Sequence, residues 1–209
     1  MRALNLWRRV AVAGIVTATL AGCAKTSLTN LWRADDGAAP LGNLLVISLE
    51  RDNDVRTLWE DAIAAEFQAN GVMARPSHTL FPTAPPDTQQ VVTVAHRDRY
   101  DGVVVTHRLA VTETGRFDNS YSKTAPSGAG EYWRGWYFTN YMLATEFVAT
   151  NYDDKASYQI DLANATGGGT LMWTGSTTPI KPTDPRKLQQ EVCGELVSEL
   201  MRRGFVAKR

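Results

Sequence analysis

Thiol and imidazole side chains, which serve most readily in nucleophilic and metal chemistry, are few in this chain of 209 residues: two cysteines, Cys23 and Cys193, and three histidines, His78, His96 and His107. The histidines fall into no HExxH or other tight metal-ligating spacing, so they are expected to be scattered surface or strand residues, and no metal site is assigned. No GxSxG turn occurs, and Ser120, Ser122 and Ser127 sit in a polar stretch without a spaced base, which leaves a hydrolase without a nucleophile. Gly167-Gly168-Gly169 lacks the Lys-Ser or Lys-Thr of a phosphate-binding loop and is expected to be a flexible turn. Acidic groups at Glu50, Asp52 and Asp54 and at Asp153-Asp154 are accounted for by helix capping and turn formation without a cation. No catalytic residue and no cofactor follow from these patterns.

The chemistry that the sequence does support is at Cys23. Arg2, Arg8 and Arg9 make a positively charged start, Val10 to Leu20 is an apolar run of eleven residues, and Leu20-Ala21-Gly22-Cys23 follows at once. Such a run is too short to cross a bilayer, and the small residues at 21 and 22 let a peptidase reach the backbone next to the cysteine, as in an export signal. The tetrapeptide resembles a bacterial lipobox, which implies that the Cys23 thiol is acylated with fatty acid of the palmitate type and becomes the new first residue. An ordinary secretory signal ending in a chance cysteine is the alternative, and the flanks of Arg8-Arg9 fit twin-arginine export poorly. Each buried methylene of an acyl chain contributes about 0.8 kcal/mol, so two or three chains make a stable anchor. Ala24, where inner-membrane lipoproteins typically carry aspartate, implies sorting to the outer membrane, on its periplasmic side.

Composition bounds what the anchor carries. Of the 22 basic residues three lie in the signal, so 19 remain against 22 acidic ones, and no basic surface for nucleic acid is indicated. Beyond the signal at 1–22 and a lipidated tether at 23–43, the sequence reads as one α/β periplasmic domain over 44–209. As a free coil, the tether, interrupted by Leu31-Trp32, would span roughly 25 Å. Cys193 lies among Leu188, Val192, Leu196 and Leu200 and is expected to be a buried structural thiol.

Leu44 to Leu49 is a continuous apolar run, the pattern of a strand covered on both faces. Asp52-Asn53-Asp54 caps a helix whose stripe is Val55, Leu58, Trp59, Ala62, Ile63 and Phe67, and Asn70-Gly71 ends it. A short strand over 72–75, a helix over 88–96 and a long strand over 103–111 follow. Leu143 to Tyr152, Ala156 to Ala163 and Thr170 to Thr177 alternate in part and read as strands, and a last helix opens at Asp184 or Pro185 and closes at Gly204. The predicted order is β-α-β-α-β-β-β-β-α, an α/β fold with α+β character in its second half and a mixed sheet covered by helices.

Several of these stretches together resemble a family of bacterial lipoproteins of unknown function: a tether tryptophan before a strand, LLVISLERDNDVRTLWEDAIAAEFQANGV, ARPSHTLFP and TGGGTLMWTG. More distantly the layout is similar to the curli-secretion lipoprotein, the lipoprotein activators of penicillin-binding proteins and the amino-terminal domain of the Tol system's periplasmic protein. The resemblance implies a fold and no catalytic residues. Trp173 and Leu171 are expected on one face of a hairpin strand, in the core.

The remaining motif is GEYWRGWYFTNYM, residues 130–142, which holds six of the chain's aromatic residues. Read as the start of a strand, it turns Trp136, Phe138 and Tyr141 inward. Tyr132, Trp133, Arg134 and Tyr137 are left as a candidate binding surface of the residue types that dominate hot spots. These features together point to a membrane-anchored binding or assembly module of the cell envelope whose partner is an envelope protein or polymer. A periplasmic enzyme acting on envelope polymer and a self-associating subunit, a homo-oligomer, are the alternatives. Cys23→Ser is expected to leave an unprocessed precursor, because serine lacks the thiol that accepts the acyl group; palmitate label entering the variant would disprove acylation at this residue.

Overall fold

Leu44, Leu45, Val46 and Ile47 are fully buried, because the strand they build, β2 (Asn43–Ser48), has helices on both of its faces. The computed structural model describes residues 28–33, 39–109, 132–146, 157–165, 169–177 and 192–208. On one side β2 pairs in parallel with β3 (Met73–Pro76), and on the other with β4 (Gly102–Arg108). Antiparallel strands β5 (Tyr158–Asn164) and β6 (Thr170–Thr177) continue the sheet from β4. With β1 (Leu28–Arg33) against β6, the order is β1-β6-β5-β4-β2-β3. This is a mixed sheet in an α/β fold, as the sequence indicated.

Helix α1 (Asn53–Ala69) packs on one sheet face with α4 (Gly194–Arg202), and α2 (Thr88–Arg97) packs on the other. Local chemistry sets their ends. The Asp52 side chain accepts from the backbone N–H groups of Asp54 and Val55, and Gly71 leaves α1 at φ +81°, a conformation that favours glycine. Asp87 and Gln90 form a reciprocal capping box at the start of α2. After α4, Gly204 turns the chain at φ +76°, and backbone bonds from Leu41 N–H to the Phe205 carbonyl and from Ala207 N–H to the Leu41 carbonyl tie both ends of the domain together.

Four expectations are corrected. Part of the supposed tether is β1, an edge strand of the sheet whose first residue lies five positions after Cys23. Residues 143–146 belong to α3 (Phe138–Glu146), entered from a π-helical turn at Tyr132–Tyr137, while 147–152 lie outside the described residues. The α1 stripe is rotated: Arg56, Trp59, Glu60, Ile63, Ala64 and Phe67 are buried, and Val55, Leu58 and Ala62 only flank them. The proposed helix opening at Asp184 or Pro185 also falls outside the described residues, which include α4 and its closing glycine.

The fourth of these corrections lies in the TLMWTG strand. Leu162 pairs with Trp173 but Ala163 pairs with Leu171, so β6 carries one extra residue, Met172, at a bulge. That residue breaks the two-residue alternation. Leu171 therefore enters the core under α2, whereas Met172 and Trp173 enter the core under α1 and α4. The Trp173 ring lies along the strand over Gly175, where a Cβ would sit 2.5 Å from its Cη2 atom. Trp173→Ala is expected to cost about 3–5 kcal/mol, measured by chemical denaturation. Gly175→Ala should also destabilise, and the double variant should cost less than the sum, because removing the indole clears the space that the new methyl needs. Strict additivity would show that the ring does not rest on Gly175.

Candidate functional site

Helical rather than extended backbone changes which aromatic residues of 130–142 can share a face. Neighbours on a helix lie three or four residues apart, so Trp133, Tyr137 and Tyr141 line up where a strand would have grouped Trp136 with Phe138. Trp133 and Tyr137 are buried at 2% and 0% exposure, in edge-to-face contact at 5.6 Å, and Tyr137 stacks on Tyr141 at 6.4 Å. Phe138 is 49% exposed. The assignments of Trp133, Tyr137 and Phe138 are thus reversed, so Trp133 and Tyr137 are core rather than binding surface, while Tyr141 packs half-buried against the same core, as expected. Side chains of Tyr132, Arg134 and Trp136, like Cys23, lie outside the described residues.

Three contacts hold this segment in place. The Tyr137 hydroxyl donates to the Pro86 carbonyl at 2.7 Å, and the Thr88 hydroxyl donates to the Trp133 carbonyl at 3.5 Å. The Trp133 indole lies against Gly169 at the end of the β5–β6 connection, where a Cβ would collide with the ring and where φ is +84°. The two sequence motifs richest in glycine and aromatic residues therefore pack on each other, and Gly169 serves both the turn and the ring.

A second concentration of polar groups lies at the carboxyl ends of β2, β3 and β4, the place where open α/β sheets usually present their sites. Glu60 is fully buried on α1. Its carboxylate accepts from Ser48 N–H at 3.0 Å, Arg56 Nε at 3.1 Å, the Ser77 hydroxyl at 2.7 Å and His78 N–H at 2.6 Å. Arg56, equally buried, also donates to the Phe81 carbonyl at 2.6 Å. Neither residue is a site candidate on sequence pattern alone. The signal of the pair is an Arg and a Glu four residues apart on the same helical face as Trp59 and Ile63.

Beside this knot Glu50 is buried next to Tyr158 and Arg108, and Tyr158 packs on Trp59 with ring centroids 4.4 Å apart. Burial raises the Glu50 pKa against the lowering effects of Tyr158 and Arg108, and nearby Asp52 raises it further. The folded state therefore holds this proton more tightly than the unfolded chain. That contribution is complete below the ordinary glutamate value of 4.5 and is lost as pH rises through the raised value. On the opposite sheet face His107 is buried, and desolvation lowers its pKa against the pull of Asp161. Asp161 itself accepts from Gln159 and Thr174. Burial pushes the Cys193 thiol up to about 12, which keeps it protonated at neutral pH. Among the described residues no group of three or more His, Cys, Asp or Glu side chains is placed to hold a metal ion. At the other end of the strands a shallow hollow of about 350 Å³ opens between Leu41, Gly42, Asp101, Asn164 and Lys208.

Trp133→Ala is expected to cost about 3–5 kcal/mol, whereas Phe138→Ser should change stability by no more than about 0.5 kcal/mol. Denaturant midpoints of the two variants decide: the opposite ranking would restore an extended segment with Phe138 inside.

No family model and no curated protein sequence matches the chain. Among solved structures it is similar to the PelC dodecamer from Paraburkholderia phytofirmans, at 9% identity over 88% of this chain and 99% of that chain, with a TM-score of 0.44. A second PelC dodecamer structure from the same organism gives 10% identity, 83% and 97% coverage and a TM-score of 0.43. Lipoprotein GNA1162 from Neisseria meningitidis is similar at 13% identity over 78% of this chain and 96% of that chain, with a TM-score of 0.35.

Proposed function

We propose that this chain is a lipid-anchored envelope protein whose single α/β domain acts as a binding or assembly module at the periplasmic face of the outer membrane. The observation that carries the proposal is the succession of charged start, apolar run and Leu20-Ala21-Gly22-Cys23, followed five residues later by the first strand of the sheet. An acyl group at Cys23 would hold the folded domain close against the bilayer. The motif resemblance to a family of bacterial lipoproteins agrees with such a role.

A binding role rather than catalysis is supported by how the buried polar groups are used. Glu60 and Arg56 are engaged in bonds that join α1 to the ends of β2 and β3, and Cys193 is held as the neutral thiol. Self-association is the second reading, favoured by one feature: β1 ends the sheet, and its outer edge pairs with no described strand.

The proposal is tested on envelopes of cells making the full-length protein. Density fractionation should place it with the outer membrane, with acyl mass on the Cys23 peptide, and cross-linking before detergent extraction should give a reproducible adduct with another envelope component. Recovery as a soluble, unacylated chain would overturn the anchor. An acylated protein whose only adducts are with itself would replace the binding module by the self-associating subunit.

A further inference from the structure

Strand direction and register fix which end of the domain lies next to the anchor. Leu28, the first residue of β1, pairs with Thr177, which ends β6. The neighbouring register sets Gln159 against Ser176, so Tyr158 stands level with Thr177, and Tyr158 pairs with Arg108 at the end of β4. In the next strand Ser48 pairs with Thr106, which brings Glu50 level with Arg108. One rung thus crosses the sheet from Leu28 to Glu50, and it lies at the carboxyl ends of β2 and β4. The opposite rung is Gly102, Asn164 and Thr170, beside the hollow that Lys208 lines.

Two lengths then limit how the domain can stand. Between Cys23 and Leu28 there are five residue steps, which reach at most about 18 Å when fully extended. Between the two rungs β4 takes six steps from Gly102 to Arg108, about 20 Å at the rise of a strand. An inverted domain would have its far rung below Leu28 by more than the leash can lift Leu28 above the lipid. Inversion would therefore drive the Gly102 rung into the bilayer. At the β2 corner of the near end Arg51, Asp52, Asn53 and Asp54 are exposed and polar, whereas the exposed Met73 belongs to the start of β3, at the far end.

We infer that the end of the sheet marked by the rung of Leu28, Thr177, Tyr158, Arg108 and Glu50 is turned toward the membrane, with Leu28, Thr177, Tyr158 and Glu50 themselves buried inside the domain. The hollow by Asp101 and Lys208 is turned away from the bilayer. The inference rests on the acylation of Cys23 proposed above and adds to it an orientation.

Native chemistry makes the test clean, because Cys193 is fully buried and does not compete for a thiol label, and Cys23 is blocked by acylation. Full-length acylated protein carrying Asp54→Cys or Lys208→Cys, both at exposed positions, is labelled with a fluorophore and reconstituted into vesicles of phosphatidylethanolamine and phosphatidylglycerol. Energy transfer to a headgroup-level acceptor should place the label at position 54 nearer the bilayer by about 20 Å, the separation of the two rungs. Equal distances, as for a domain lying on its side, or the reverse ranking would overturn the orientation while leaving the anchor intact, provided that the protein floats with the vesicles and carries acyl mass. A protein that neither floats nor carries acyl mass would overturn both. Should either variant fail to fold, the exposed pair Thr83→Cys and Ala69→Cys reports the same two ends.

Discussion

Four hydrogen bonds converge on the Glu60 carboxylate, from Arg56 on its own helix, Ser48 at the end of β2, and Ser77 and His78 after β3. Neither charge of the Arg56–Glu60 pair touches water. A buried pair gains little over an apolar one of the same size, but removing one partner costs about 3–5 kcal/mol in general, because the other charge is left without compensation. The consequence is specificity. Only one position of α1 over the sheet lets the carboxylate reach both strand ends while Arg56 reaches the Phe81 carbonyl, so the pair sets the docking of α1, the turn at Ser77–Thr79 and the path of the chain toward α2.

That docking decides the two cores. With α1 held, Trp59, Ile63 and Phe67 meet Leu44, Val46 and Val104 on one face, and Val91 and Val94 of α2 meet Leu45, Ile47 and Val105 on the other. The bulge at Met172 distributes the residues of β6 between the same two layers, and two glycines let large rings lie flat on backbone: Gly175 under Trp173 and Gly169 under Trp133. Trp133 and Tyr137, of residue types suited to recognition, instead close the second core. An exposed Phe138 next to them shows the helical face that remains outside.

Polar groups at the carboxyl end of the sheet then have a structural and a positional meaning at once. Glu60 and Arg56 are consumed by the fold. Glu50 sits just outside them, under Tyr158 and Trp59, in a place where burial disfavours its charge. This is the same end at which β1 enters, so the proposed anchor and the polar end of the sheet share one side of the domain, and the hollow near Asp101 lies on the other.

What the amino-acid sequence determined by itself is whatever depends on neighbours in the chain. The pattern at Leu20 to Cys23 on which the proposed anchor rests is linear. The apolar run at Leu44, the Asp52 and Asp87 caps, Gly71 and Gly204 are local signals, each deciding one strand or one helix end. Tertiary structure decided the rest, because the competing local preferences were close. Tyr, Trp, Phe and Thr favour strands only weakly over helices, so the 132–146 segment took the conformation that seats Trp133 on Gly169 and Tyr137 under Pro86. Leu28–Arg33 is a strand only because β6 offers an edge to pair with. Arg56 and Glu60 look like solvated charges until β2 and the turn at Ser77 are brought beside them, and only then does burying them cost less than leaving the strand ends unbonded.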